Sequence, residues 1–172
     1  MEAMLEGCRR GSPTDQRDLY QRFFPKVHGL ATRIVGRQDA DDLTQQSFLQ
    51  VFRRISLFRG DSQFDTWLYR LVVNECLQHL RRQKATCAPL EFDPMDHRPG
   101  SDEVSDNREL LDAALGRIEP ELRTALVLRE VERLSYSEIA EVLSLPEGTV
   151  ASRLSKARSL LRQNLIELGW EP

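Results

Sequence analysis

The stretch Ser135–Arg162, SYSEIAEVLSLPEGTVASRLSKARSLLR, reads as two helices joined by a tight turn. Ser135 followed by Glu138 forms a capping box, in which the hydroxyl and the carboxylate each satisfy a free backbone N–H. Ile139, Ala140, Val142 and Leu143 repeat at helical spacing and give that first helix one apolar face. Ser144-Leu145-Pro146-Glu147-Gly148 stops it and starts the next, because proline fits a first helical turn and cannot continue an earlier one. Val150, Leu154, Ala157 and Leu161 line the inner side of the second helix, while Arg153, Lys156, Arg158 and Arg162 supply cations. The second helix is read as carrying positive charge only. A short helix, a turn and a cationic helix are the geometry that lays a recognition helix in a DNA major groove.

The rest of the chain restricts what surrounds that motif. At 172 residues it holds one domain or two small ones, and 40% hydrophobic with 30% charged residues suits a folded, helix-rich protein. No apolar run is long enough for a membrane span, and MEAMLEGCRRGSPTD at the N-terminus lacks a signal-peptide core, so a cytoplasmic protein without membrane insertion is expected. Cys8, Cys76 and Cys87 are an odd set with no CxxC pair, which argues for free thiols over disulfides or a zinc knuckle.

A formal net charge of −3 is unusual for a DNA binder, and its distribution explains more than its total. Residues 1–84 are net +4, residues 85–107 net −5 and residues 108–172 net −2. Affinity for DNA alone requires phosphate neutralisation over a broad face. This chain has no such surplus, so it is expected to meet DNA with a partner that supplies most of the electrostatics.

Three amphipathic helices are predicted before the acidic segment. Leu19, Phe23, Val27, Leu30 and Ile34 mark the first, Leu43, Phe48, Val51 and Ile55 the second, and Trp67, Leu68, Leu71 and Val72 on to Leu80 the third. The turn-forming run Phe58-Arg59-Gly60-Asp61-Ser62 separates the last two. Ala85–Asn107 has three prolines and no apolar period and reads as a linker. Helices near Leu110–Ile118 and Pro120–Arg133 precede the helix-turn-helix. The expected architecture is all-α: an N-terminal helical bundle over 12–84, an acidic flexible linker over 85–107, and a helix-turn-helix domain over 108–168.

Two segments together carry a family likeness. DADDLTQQSFLQVFRRISLFRGDSQFDTWLYRLVVNECLQHLRR (Asp39–Arg82) and LREVERLSYSEIAEVLSLPEGTVASRLSKAR resemble the extracytoplasmic-function class of bacterial RNA polymerase sigma factors. The resemblance spans about residues 12–84 and 108–166, in the family's order. It implies a non-enzymatic initiation factor that uses no cofactor or metal. It also implies core RNA polymerase, promoter DNA and an anti-sigma factor as partners.

Residue by residue, the likeness places Asp42, Leu43, Gln45, Gln46, Phe48 and Leu49 on the helix that docks on the clamp helices of the polymerase largest subunit. Gln46 stands where the family often has glutamate. Phe58 and Asn74 match the family's pocket for a base captured from the melted -10 element, with Arg59, Asp61, Ser62, Trp67 and Arg70 around it. Capture of that kind rests on stacking and on hydrogen bonds to a Watson–Crick edge. From its neighbours alone, without the family likeness, Asn74 beside Leu71, Val72 and Val73 reads rather as a buried amide with a partner.

For the -35 element the matching positions are Thr149, Ala151, Ser152, Ser155 and Lys156, with Arg153 and Arg158 nearby. Ala151 and Ser155 are shorter than the family's usual residues there. They can touch a thymine methyl or one polar edge but cannot grip guanine with two bonds. Thr149 and Ser152 are candidates for phosphate contacts. The acidic linker is a soluble spacer or a mimic of RNA phosphates in the polymerase channel.

Rival functions have less support. His28, His79 and His97 are scattered, with no catalytic grouping or phosphate loop. Cys76 and His79 lie one helical turn apart but lack enough further ligands for a metal site. A stand-alone helix-turn-helix regulator acting without polymerase is the principal alternative.

Overall fold

The computed structural model describes residues 1–86 and 103–170. Most of the acidic linker lies outside the described residues. Its first two residues end one helix, and Glu103 onward opens another. Among the described residues the secondary structure is helical: α1 (Glu2–Arg9), α2 (Pro13–Val35), α3 (Arg37–Arg54), α4 (Phe64–Thr86), α5 (Glu103–Gly116), α6 (Pro120–Glu130), α7 (Tyr136–Leu143) and α8 (Glu147–Glu167). A single 3-10 turn, Ile55–Leu57, follows α3.

The N-terminal bundle forms around α2. The Ser12 side chain accepts the Asp15 N–H, Pro13 occupies the first turn, and Leu19, Phe23, Val27, Leu30, Ala31 and Ile34 then recur every three or four residues on the buried side. Gly36, at φ +90°, takes the backbone where a side chain would strain it and lets α3 fold back against α2. α3 buries Leu43, Phe48 and Val51, and α4 buries Leu68, Val72, Val73 and Cys76. α1, upstream of the expected start at residue 12, belongs to this bundle: Leu5 and Cys8 are buried in its core and α1 packs on α2 and on the 3-10 turn.

The C-terminal unit, α5–α8, places α8 across α5, α6 and α7. Leu115, Ile118, Leu122, Leu126 and Ala157 form one apolar cluster, whereas Leu128, Leu134, Ile139, Val142, Val150 and Leu154 join the core of the N-terminal bundle. The two units therefore meet, α2 against α6 and α4 against α7. Besides the exposed ion pairs Arg37–Asp112 (3.5 Å) and Arg81–Glu121 (3.6 Å), two part-buried polar contacts cross the seam. The Tyr69 hydroxyl on α4 donates to the Glu132 carboxylate, and burial with that contact pushes the phenol well above its ordinary range. The Arg123 guanidinium donates to the Leu115 carbonyl (3.2 Å), the Gly116 carbonyl (3.4 Å) and, across the seam, the Ile34 carbonyl. One cation thus serves the carbonyl-rich ends of both α5 and α2, where the helix dipoles favour positive charge.

Candidate nucleic-acid interface

On α3, the residues expected to meet polymerase divide in two. Asp42, Gln45, Gln46 and Leu49 are exposed and fall at the one-face spacing of a helix. Leu49 is half exposed, which is unusual for leucine and gives this face an apolar centre. Leu43 and Phe48 point the other way and are buried in the bundle. They support this face from beneath and do not form it.

The -10 candidates lie along α4 and the loop before it. The Phe58 ring packs edge-on to Phe64 (5.4 Å between centroids) and tilts on Trp67 (5.5 Å), so Phe58 and Trp67 close one aromatic group that is only partly buried. Arg59 and Asp61 are exposed and Ser62 is partly so, in a loop whose Gly60 adopts φ +83°. Asn74 is exposed on α4, so it does not need the internal partner that its apolar neighbours suggested. Asn74 lies two turns beyond Trp67, about 10 Å along the helix axis, and lines a cleft of about 390 Å³ between α3 and α4 with Gln46, Leu49, Arg53, Arg54 and Gln78. Phe58 is not among the residues that line the cleft holding Asn74. Trp67, Arg70 and Asn74 share one side of α4.

Arg53, Arg54 and Gln78 escaped the sequence reading. Two adjacent arginines at a helix C-terminus read as ordinary dipole partners; only the packing of α4 against α3 puts them opposite an exposed amide.

In the C-terminal unit the helix-turn-helix forms as its sequence implies. The capping box is complete: the Ser135 hydroxyl accepts the Glu138 N–H (3.2 Å), and the Glu138 carboxylate accepts the Ser135 N–H (2.7 Å). The bonds from Ser135 hold the Glu138 carboxyl below its ordinary range. Ser144 ends α7 in the left-handed region (φ +53°), and Pro146 caps α8.

Val150, Leu154 and Ala157 face inward, which turns Ser152, Ser155 and Lys156 outward, with Ala151 also exposed and Thr149 and Arg153 partly so. Three details revise the expected face. α8 carries two carboxylates, Glu147 in its first turn and Glu167 at its end, so it is not purely cationic. Glu147 sits where a phosphate would profit from the helix dipole. Arg158 is paired with Glu130 of α6, its Nη2 at 2.7 Å and Nε at 3.1 Å from one oxygen. Ser152 donates its hydroxyl to the Thr149 carbonyl (2.9 Å), which in this rotamer leaves it an acceptor toward DNA.

Among the described residues no three His, Cys, Asp or Glu side chains come together as a metal site, and no helix is long and apolar enough to cross a membrane. Cys76 is buried, which pushes its thiol up to about 12, and burial raises Cys8 as well. Cys87 lies outside the described residues.

A helical bundle joined to a helix-turn-helix is the two-domain plan of a sigma-type initiation factor. The family model for Sigma-70 region 2 matches residues 19–86, and that for Sigma-70, region 4 matches residues 108–161. The ECF RNA polymerase sigma-E factor of Haemophilus influenzae is 36% identical over 97% of this chain and 96% of its own length. Two solved structures share the fold. CnrH in complex with the cytosolic domain of CnrY aligns with TM-score 0.71 at 20% identity, over 98% of this chain and 97% of that one. The sigma factor RpoE in complex with the anti-sigma factor NepR from Bartonella quintana aligns with TM-score 0.71 at 21% identity, over 90% and 99%.

The chain belongs to the extracytoplasmic-function class of RNA polymerase sigma factors. Its function is accordingly to bind core RNA polymerase and direct promoter recognition, melting and initiation. The region 2 match sets aside a stand-alone helix-turn-helix regulator.

Proposed function

We propose that the exposed α3 face, Asp42, Gln45, Gln46 and Leu49, is the contact with the clamp helices of the polymerase largest subunit. One observation carries this reading: a stripe of three polar side chains around a half-exposed leucine, with its apolar neighbours turned into the bundle. Such a face suits a helix-on-helix interface with an apolar centre and a polar rim.

The melted -10 strand then runs along α4 from the Phe58–Trp67 group, past Arg70, to Asn74 in the α3–α4 cleft. Stacking at one end and an amide at the other serve successive nucleotides, and Arg53 and Arg54 stand close enough to neutralise phosphates. Arg59, Asp61 and Ser62 border the entrance.

The -35 element is read by Thr149, Ala151, Ser152, Arg153, Ser155 and Lys156. Few long side chains face the groove, so discrimination rests on methyl contacts, single polar edges and DNA shape. Arg158 contributes only by leaving Glu130. The protein acts in the cytoplasm, performs no chemistry of its own, and is held inactive by an anti-sigma factor. The last reading is extended from RpoE, which was solved with such a partner.

The test is run-off transcription by core polymerase on the DNA upstream of this protein's gene, with Asn74→Ala and Leu49→Glu as variants. Leu49→Glu should abolish binding to core. Asn74→Ala should bind core normally yet form few open complexes. Full transcription by both variants would refute these assignments.

A further inference from the structure

α1 lies upstream of the region 2 match, and its last residue reaches the loop at the head of α4. Arg9 donates from Nη2 to the backbone carbonyl of Phe58 at 2.8 Å, across 49 positions of sequence. Its other terminal nitrogen, Nη1, is held 3.1 Å from the Glu6 carboxylate one helical turn earlier. The guanidinium is thus aimed by a partner on its own helix. α1 in turn is fixed by Leu5 and Cys8, both buried in the bundle core.

Phe58 is the residue on which this anchor matters most. It ends the 3-10 turn, its N–H is taken by the Ile55 carbonyl (3.2 Å), and its ring is held by Phe64 and Trp67. The loop 59–63 hangs between Phe58 and Phe64, and its own backbone bends through Gly60 in the left-handed region. Without Arg9 the Phe58 carbonyl has only water to orient it, while the ring stays in place. We infer that Arg9 is a positioning residue for promoter melting: it sets where the 59–63 loop leaves Phe58, and so how that loop stands over the strand on α4. This inference rests on the proposed path of the -10 strand, and the experiment separates the two.

Arg59 gives a direct probe, because it is exposed in the loop and is a trypsin site. In the full-length protein, brief trypsin digestion followed by mass spectrometry reads cleavage after Arg59 against cleavage in α2 at Arg17 and Arg33. Arg9→Ala should speed cleavage after Arg59 about fivefold, the scale of one lost net hydrogen bond, and leave the α2 sites unchanged. In holoenzyme on the upstream DNA, permanganate reactivity of the -10 thymines should fall by a similar factor while core binding is unaltered.

Arg9→Lys keeps a cation but loses the guanidinium fork and should fall between, as should Glu6→Ala, which leaves Arg9 in place without the acceptor that aims it. Either variant serves if Arg9→Ala folds poorly by circular dichroism. Unchanged cleavage after Arg59, a uniform rise at every site, or normal permanganate reactivity would overturn the inference. If Phe58→Ala and Asn74→Ala melt DNA normally while Arg9→Ala loosens the loop and melts poorly, the strand path fails and the role of Arg9 stands.

Discussion

The two surfaces proposed to face DNA are assembled in opposite ways. The recognition helix and its turn come from one contiguous stretch, Ser135–Arg162, and their geometry is set by a capping box, a left-handed serine and a proline within that stretch. The proposed region 2 surface gathers Arg9, Arg53, Phe58, Trp67 and Asn74 from α1, α3, the loop and α4. Local chemistry fixes the first and tertiary packing the second. A surface built locally tolerates changes elsewhere in the chain. One built across four segments is displaced when any of them shifts.

That contrast can be broken at its strongest point. Leu154→Ala empties a fully buried site where α8 joins the shared core, and should cost about 3 kcal/mol. Chemical denaturation would measure it. Loss of -35 binding without loss of stability would mean that Leu154 serves the DNA face rather than the core. Next is Arg123→Ala, which leaves carbonyls at the ends of both α2 and α5 without their cation and should cost about 2 kcal/mol. Calorimetry should then show one transition at a lower temperature, because the seam loses its tie to Ile34 while Tyr69–Glu132 and the shared apolar core remain.

Smaller changes sharpen the contrast instead. Ser135→Ala removes a cap worth about 1 kcal/mol and should lower the melting temperature of the C-terminal unit alone. It also alters the pH dependence. The folded-state pKa of Glu138 is depressed, so its stabilisation is complete above the ordinary carboxylate value of about 4.3 and is lost as pH falls through the folded value. Titrating stability from neutral pH to pH 3 should show a shallower acid limb in Ser135→Ala than in wild type. Least disruptive is Lys156→Ala, exposed and outward on α8. Stability should stay within about 0.5 kcal/mol, while the slope of log affinity against log salt for promoter binding should drop by about 0.9.

How far the sequence could be read follows the same division. Capping box, breaker and inner stripe of the helix-turn-helix were all legible because each depends on residues within one turn of one another. Ser152 and Arg158 were not fully legible. Whether a hydroxyl bonds back to Thr149, or a guanidinium turns to Glu130 on α6, depends on rotamers and on a neighbouring helix.

In region 2 the helices and their buried faces followed from apolar period. Two of the six α3 candidates still proved to be core, since a motif marks positions without their facing. Asn74 was ambiguous because its neighbours in sequence are buried, yet its own direction on α4 is outward. α1 is short enough that its pattern of Leu5 and Cys8 gave little warning that the bundle begins before residue 12.

The burial of Cys76 has a consequence for oxidants. Peroxide attacks a thiolate, and a thiol pushed up to about 12 is ionised in on the order of one molecule in a hundred thousand at neutral pH. Inside the bundle this sulfur behaves as a small hydrocarbon. Oxidative stress that reached the transcription of this factor's promoters would have to enter somewhere other than Cys76.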